Sequence, residues 1–294
     1  MFQNVNREEC LIRATHTPKG RTQWVNPETV AVQHLHYGRV RLDPGDPPIE
    51  FSTGEHETGL ICLQGAAGVE AEGGVRIQPA LDRPTACPTK DCSERFELAR
   101  YDALYIPPDY RVRVIPSDTG CDFAEVSAPV AGSYSVQFVP FAGVRPNPAL
   151  HFQAGGAGCR RDLNILIGKN VQAGRILAGV TFSEPGNWTS WPPHEHGATL
   201  EEAYLYIDMP APAWGLQLVY TNPREPELVV AVREGDCVVM PQGYHPNVAA
   251  PGGSINFLWM MAAHREGVDR EFGLVNVQPE YAAAGSGLEA SRGR

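Results

Sequence analysis

The sequence contains no long apolar run and no cluster of basic residues. Its longest apolar stretches, residues 229–232 and 257–263, fall far short of the roughly 18 residues that a membrane-spanning helix needs. Lys and Arg number 24 against 34 Asp and Glu, which gives a formal charge of -10 over 294 residues. This balance disfavours nucleic acid and anionic membranes as partners. The first sixteen residues lack the basic start and apolar block of a signal peptide, so a cytoplasmic location is expected.

Paired cysteines are also missing. Seven cysteines are present, but none forms a Cys-x-x-Cys motif, and an odd number does not suit a disulfide framework. The only close pair is Cys87 and Cys92, in a loop that contains proline, and it is a weak metal signal without a second pair. We therefore expect reduced thiols.

No segment keeps a helical apolar period over three turns. Instead, 30 Gly and 26 Pro are spread along the chain and separate short runs that are rich in apolar and β-branched residues. These runs include residues 30–35, 59–63, 103–106, 112–115, 133–139, 175–182, 203–207, 216–220, 228–232, 237–240 and 255–261. The pattern predicts an all-β sandwich or barrel.

The two halves of the chain share a pattern. Residues 102–112 and 236–246 coincide in an Asp, an apolar run, a Pro and a Tyr, and Glu57 and Glu202 each precede an earlier strand. The repeat predicts two similar β-domains, residues 1–150 and 151–294, with a flexible tail from about residue 282. Arg111 occupies the place of His245, so we expect the first domain to be a degenerate copy.

Metal-ligand chemistry is concentrated in the second half. His194 and His196 are separated by one residue, and side chains at that spacing on a strand point the same way. An acid follows at Glu201 or Glu202, and His245 comes later. Three His and one carboxylate leave open coordination positions on a divalent ion, and this mixed set suits zinc, iron, manganese or nickel.

Glu201 and Glu202 compete for the carboxylate position. The spacing of general metal-binding motifs favours Glu201, whereas strand alternation places Glu202 on one face with Tyr204 and Tyr206. We favour Glu202. The other His-x-His pair, His34-Leu-His36, is followed by Arg-Val-Arg where an acid is required, so it is not predicted to bind metal.

Residues 186–202 and 235–249 resemble the two motifs of the cupin superfamily. They depart from them in the spacing before His194 and in Ala249, where the motif has Asn. The runs Trp-Pro-Pro-His-Glu-His, Leu-Glu-Glu-Ala-Tyr-Leu-Tyr and Val-Met-Pro-Gln-Gly-Tyr-His-Pro-Asn resemble more specifically the 5-deoxy-glucuronate isomerase family of myo-inositol catabolism. The resemblance covers most of the chain, and the segment from His264 to Tyr281 departs from it.

This resemblance implies a bicupin fold of two tandem jelly-roll β-barrels and one divalent metal ion held by His194, His196, Glu202 and His245. It implies an aldose-ketose isomerase that converts 5-deoxy-D-glucuronate to 5-dehydro-2-deoxy-D-gluconate. A small-molecule sugar acid is the expected partner, and a homo-oligomer is expected because cupin sheet edges commonly pair.

Further site residues follow from this expected reaction. The candidate proton-handling residues are Tyr204, Tyr206 and Tyr244, which lie on or beside ligand-bearing segments. Arg175 and Arg265 are candidates for binding the substrate carboxylate, because arginine presents a planar fork to it. Trp191 is expected to roof the cavity.

Two alternatives remain open. A cupin dioxygenase, or an isomerase of a different keto or sugar acid, uses the same ligands. A non-catalytic sugar-binding bicupin has less need of a metal with open positions.

Overall fold

The structure, a computed structural model, describes residues 10–73 and 93–284, so Cys87 and Cys92 lie outside it. Within those residues no helix is long and apolar enough to cross a membrane. The strands are β1 (Leu11–Ile12), β2 (Gly20–Val25), β3 (His36–Leu42), β4 (Ile49–Ser52), β5 (His56–Gly73), β6 (Ser93–Leu98), β7 (Ala103–Ile106), β8 (Tyr110–Pro129), β9 (Gln137–Val139), β10 (His151–Ala154), β11 (Arg161–Ile167), β12 (Ile176–Ser183), β13 (Trp188–Thr189), β14 (His194–Glu195), β15 (Leu200–Tyr206), β16 (Gly215–Val219), β17 (Leu228–Val232), β18 (Cys237–Met240), β19 (Asn247–Ala249), β20 (Phe257–Ala263) and β21 (Asn276–Val277). The helical elements are α1 (Phe141–Val144) and a 3₁₀ helix (Pro279–Ala284). The predicted all-β fold is confirmed.

The first half of the described chain forms one eight-stranded sheet in which β5 and β8 pair along most of their length. Their register shifts near Cys62 and Gly65, and β4 and β6 join the pair beyond the shift. Gly65 has a φ of 69°, and a Cβ there would lie 2.1 Å from the carbonyl oxygen of Gly120. Only glycine fits this bend.

The second half repeats the strand order of the first. Its seven-stranded sheet runs β10-β11-β12-β20-β15-β18-β1, and the main path of the first sheet runs β2-β3-β8-β5-β7-β9. Thus β3, β8, β5 and β7 correspond to β12, β20, β15 and β18. A four-stranded sheet, β13-β19-β16-β17, completes the second half. The shared order agrees with the repeat seen in the sequence.

One outer strand, β1, pairs with the sheet of the other half. β1 precedes the first sheet in the chain but pairs with β18 of the second, through Leu11 opposite Val238. β9 precedes the second sheet but pairs with β7 of the first. The chain therefore crosses twice between the halves, and the division at residue 150 stays a prediction.

Three apolar clusters stabilise this arrangement. One fills the first half around Leu60, Val69 and Phe123, and another fills the second around Tyr204 and Trp259. The largest cluster combines residues of both halves, including Tyr37, Ile61, Val126, Ile167, Ile176 and Met260. The halves therefore share one buried interface, which is stabilised by the removal of apolar surface from water.

Two buried carboxylates, one from each half, accept hydrogen bonds across this interface. Glu57, in β5, accepts hydrogen bonds from the backbone N–H groups of residues 174–176, at the start of β12. Glu201, in β15, accepts them from residues 33–35, just before β3. Because β5 corresponds to β15 and β3 to β12, the two contacts are equivalent. Glu57 is thus the counterpart of Glu201 and not of Glu202.

Two of the predicted strands differ from the structure. Residues 30–35 form bends and irregular backbone, because the N–H groups of residues 33–35 are bound by the Glu201 carboxylate instead of a neighbouring strand. The run over 133–139 is a strand only from Gln137.

Candidate metal centre

The four predicted ligands come from three places in the second half. His194 lies in β14, and His196 follows one residue after that strand. Glu202 lies in β15, and His245 lies in the segment that leads into β19. All four side chains are buried.

Three of the four ligands form a tight cluster. Ligand atoms of His196, Glu202 and His245 all lie within 4.8 Å of one another. The Nε2 atoms of His196 and His245 lie 2.9 and 3.1 Å from the same carboxylate oxygen, Oε2 of Glu202. His194 is beside the cluster, with its ring centroid 5.1 Å from that of His245 and 6.5 Å from that of His196.

Each histidine ring is fixed by a backbone carbonyl at Nδ1. His194 Nδ1 lies 2.8 Å from the oxygen of Pro192, His196 Nδ1 lies 3.2 Å from that of Leu200, and His245 Nδ1 lies 2.8 Å from that of Gly243. A carbonyl only accepts, so these contacts place the hydrogen on Nδ1 and the lone pair on Nε2. This is the arrangement that orients histidines as metal ligands.

The ligand atoms fit a divalent cation. With hydrogens on Nδ1, the Nε2 atoms of His196 and His245 and the Glu202 oxygen are three acceptors that meet in a buried space. His245 Nε2 makes no hydrogen bond of acceptable geometry among the described residues. Buried acceptors without a donor are costly, and a metal ion is the partner that nitrogen and carboxylate ligands of this kind share.

The pKa directions favour the ligand forms of two of these groups. Burial, with the neighbouring His245, lowers the pKa of His194 to about 3, so this ring stays neutral. Burial raises the pKa of Glu202, but His196 and His245 outweigh it and lower that pKa to about 2. Burial lowers the pKa of His196, while the Glu202 carboxylate raises it more, so its pKa is raised overall.

The structure separates the roles of Glu201 and Glu202. Alternation along β15 turns Glu202 toward the histidines and Glu201 toward the other half of the molecule, where it binds the N–H groups of residues 33–35. The choice of Glu202, made from strand alternation, agrees with this placement.

The ligands open onto an apolar cavity with a few polar groups. Its lining includes Leu163, Thr181, Ser190, Tyr204, Phe257, Trp259 and Met261, together with His194, His196 and Glu202. The Tyr204 ring stacks on Phe257, and its hydroxyl lies 2.8 Å from the Ser190 hydroxyl. Burial, and then the Glu202 charge, raise the pKa of Tyr204 well above its usual value, so the phenol keeps its proton.

Arg161 supplies the one cationic side chain among the cavity-lining residues of the described chain. It begins β11, is only 3% exposed, and its Nη1 donates to the backbone oxygen of Cys159. The sequence did not single out Arg161. The sequence feature that could have identified it is the two-residue spacing of Arg161, Leu163 and Ile165, which places all three on one face of β11.

The two arginines predicted to bind substrate lie elsewhere. The Arg175 guanidinium donates to the backbone oxygens of Pro129, Ala263 and His264 and does not line the cavity. Arg265 pairs with Asp269, and its side chain is 70% exposed. Neither residue lines the cavity beside the histidine cluster.

Two of the three predicted tyrosines also lie outside the cavity. Tyr206 is fully buried behind it, with its hydroxyl donating to Gln217 Oε1. Tyr244 is half-buried, and its ring lies beside that of Tyr220, 5.6 Å between centroids. Of the three, only Tyr204 lines the cavity.

The chain after β20 covers the site. Residues 272–275 line the cavity, and β21 pairs with β14 so that Val277 lies opposite His194. The Tyr281 ring contacts Trp191 at 5.0 Å between centroids. Trp191 therefore holds the covering segment and does not itself line the cavity.

Comparison with known proteins identifies the family of this chain. The model of the KduI/IolB family matches residues 10–276. The chain belongs to this family. A curated relative, the 5-deoxy-glucuronate isomerase of Geobacillus kaustophilus, is 28% identical over 86% of this chain and 88% of its own length. The family resemblance read from the sequence is confirmed.

Solved structures confirm the bicupin fold. An IolB-like protein from Salmonella typhimurium has a TM-score of 0.74 at 22% identity, covering 93% of this chain and 98% of that one. A variant of the oxalate decarboxylase of Bacillus subtilis has a TM-score of 0.59 at 12% identity, covering 90% and 79%. At these identities the likeness shows the fold alone.

Proposed function

We propose that this protein is a metal-dependent isomerase that converts 5-deoxy-D-glucuronate to 5-dehydro-2-deoxy-D-gluconate in myo-inositol catabolism. The reaction moves a carbonyl to the neighbouring carbon of a deoxy-uronic acid. Membership of the KduI/IolB family and the names of the curated relatives support the reaction. The observation that carries it is a buried histidine and glutamate cluster and a buried arginine in one cavity.

His196, Glu202 and His245 would hold the metal ion, with His194 as the fourth ligand. A bound divalent ion acts as a Lewis acid on the carbonyl and hydroxyl oxygens, which makes the C–H bond between them more acidic. The backbone carbonyls at the three Nδ1 atoms fix the rings, so that the Nε2 lone pairs need no reorientation when an ion binds.

Arg161 binds the substrate carboxylate in this proposal. It shares the cavity with the ligands, and a charged hydrogen bond from a buried guanidinium is strong because little water competes. The carboxylate end of the sugar acid is then fixed at Arg161, and its carbonyl end can lie at the histidine cluster.

Tyr204 holds a proton at the cavity. Its phenol is protonated at neutral pH and shares a hydrogen bond with Ser190, so it can donate to an oxygen that gains negative charge during the reaction. It is the proton donor in this proposal, not the base.

Substrate entry requires movement of residues 272–275. The cavity measures about 40 Å³, room for only a few waters, and these residues form part of its lining. They belong to a segment held by the short pairing of β21 with β14 and by the Tyr220 hydroxyl on Gln278. Phe272 also stacks on Trp259, and Asn276 donates a hydrogen bond to Glu195, so these contacts would break when the segment opens.

We also propose an oligomeric state and a cellular location. A homo-oligomer is supported by the outer strand β17, which ends the four-stranded sheet and carries Val229 with 51% of its surface exposed. We propose a cytoplasmic location because the relatives are metabolic isomerases by name. Light scattering of the purified protein measures the assembly.

A proton NMR time course in D₂O tests the reaction. Metal-analysed protein is mixed with 5-deoxy-glucuronate, with and without a chelator, and beside a His245→Ala variant. We expect product signals with the wild-type protein, and no product signals with the chelator or with the His245→Ala variant. Bound metal with no conversion would show that the substrate is wrong, and oxygen uptake would support a dioxygenase.

A further inference from the structure

The first half contains a cleft of its own, which the metal centre does not use. Its volume is about 510 Å³, and strands β2, β3, β5 and β8 form its wall. Three polar side chains lie buried at its base, Thr58, Glu125 and Ser127, at 2%, 1% and 4% exposure. Among the described residues no hydrogen bond to either the Thr58 or the Ser127 hydroxyl is found.

The sheet register relates this cleft to the metal cavity. Because Glu57 corresponds to Glu201, Thr58 occupies the position of the ligand Glu202. In the first half, Thr58 of β5 pairs with Ser127 of β8, and Ser127 pairs with His36 of β3. At the equivalent positions of the second half, Glu202 pairs with Met261, and Met261 pairs with Leu177. The cleft thus lacks the metal-binding acid but has polar groups where the other cavity is apolar. Loss of a metal ligand alone does not explain these added polar groups.

The polar wall offers both donors and acceptors of hydrogen bonds. Both carboxylate oxygens of Glu125 accept from Arg21 at 2.7 Å, and Gln23 donates to the same group at 3.0 Å. The His36 and His56 rings face each other at 4.5 Å. Burial, and then His36, lower the pKa of His56, so that ring is neutral and can both donate and accept.

The charged residues that line the cleft favour a neutral ligand. The charged lining is Arg21 against three carboxylates, Glu28, Glu55 and Glu125, so the cleft is negative and repels anions such as a sugar acid. A cation would have to displace the Arg21 guanidinium from Glu125. A neutral ligand carries no such cost.

We propose that this cleft binds a neutral polyhydroxylated molecule, a sugar or cyclitol, at the base formed by Thr58, Glu125 and Ser127. Adjacent hydroxyl groups suit this wall, because each can donate to a carboxylate or imidazole and accept from a hydroxyl, amide or guanidinium. The site is separate from the metal centre and independent of the isomerase proposal.

Amide NMR shifts of the metal-loaded, full-length protein test this proposal, with D-glucose as the neutral probe and D-glucuronate as its charged match. We expect D-glucose to shift the amides of His36, Thr58 and Ser127, and D-glucuronate to leave them unchanged. A Thr58→Val, Ser127→Val variant should weaken glucose binding at least about tenfold, since two buried hydrogen bonds are lost. Thr22→Val, at the position between Arg21 and Gln23 on β2, is the matched control and should bind as the wild type.

Several results would overturn the proposal. One is no shift with glucose up to a concentration of about 50 mM, which corresponds to negligible affinity. Others are equal binding of glucuronate at these amides, or glucose shifts confined to residues 194–202. Unchanged binding by the double variant, with its melting temperature intact, would also refute it. If that variant unfolds, the His36→Leu variant is tested in its place, and it should also weaken glucose binding about tenfold.

Discussion

Glu201 and Glu202 are adjacent in β15, yet their carboxylates act on opposite sides of the sheet. Glu202 lies among the histidines of the metal centre, while Glu201 binds backbone N–H groups of the other half of the molecule. The two-residue period of a strand is the reason for this division. Glu201, which contacts the other half, is thus the sequence neighbour of the proposed ligand Glu202.

Exchanging each acid for its amide should separate these roles. Glu202→Gln should lower the bound metal, measured by elemental analysis, at least about tenfold, because an uncharged amide is a poorer ligand for a divalent cation than a carboxylate. Glu201→Gln should retain the metal but melt at a lower temperature. The reverse pattern would show that Glu201 is the ligand.

Glu57 should be a major source of stability. Its carboxylate accepts from three consecutive backbone N–H groups and from the Tyr105 hydroxyl at 2.7 Å, and it is completely buried. Glu57→Gln leaves some of these donors facing an amide NH₂ group, so we expect the free energy of unfolding to fall by about 3 kcal/mol. Urea denaturation measures this, and Glu97→Gln on the surface is the control. Equal stability of the two variants would contradict the role given to Glu57.

Arg161 should decide recognition of the acid group. Arg161→Gln removes a charged hydrogen bond in a buried site, so kcat/KM for 5-deoxy-glucuronate should fall about 100-fold, with metal content unchanged. Arg265→Gln, at the exposed partner of Asp269, should leave kcat/KM as in the wild type. A loss confined to the Arg265 variant would restore the role that the sequence suggested for it.

Tyr204 should contribute to the chemical step. Tyr204→Phe keeps the stacking on Phe257 but loses the phenolic proton, and we expect kcat to fall about 100-fold with bound metal retained. Because the pKa of Tyr204 is raised, its proton stays bound through pH 10, and no loss of rate at lower pH should come from this group. Tyr206→Phe removes a bond to Gln217 outside the cavity and should change stability more than kcat. Wild-type kcat in the Tyr204 variant would exclude it from the chemistry.

The segment over the cavity should open more often than the sheet beneath it. Amide hydrogen exchange at residues 272–278 should be faster than in β20, because β21 has a two-residue pairing with β14, whereas β20 pairs along its length with both β12 and β15. A bound substrate analogue should slow that exchange. Exchange as slow as in β20 would mean that substrate enters by another route.

The sequence by itself determined the fold class and the identity of the metal-ligand candidates. Short apolar runs between Gly and Pro specify strands, and the one-residue spacing of His194 and His196 is a local feature of the sequence. Alternation along β15 also separated Glu202 from Glu201, because the side-chain period of a strand needs no knowledge of the rest of the chain.

Only the tertiary structure decided which residues share the cavity with those ligands. Arg161 begins β11 and Arg175 directly precedes the neighbouring strand β12, and nothing local distinguishes them. The inner face of β11 brings Arg161 to the cavity, whereas the Arg175 guanidinium is bound by backbone oxygens of the interface between the halves. Likewise, residues 30–35 have the apolar content of a strand, but a carboxylate about 170 positions away in the chain binds their N–H groups. Such pairings depend on how the two halves pack, and local sequence does not encode them.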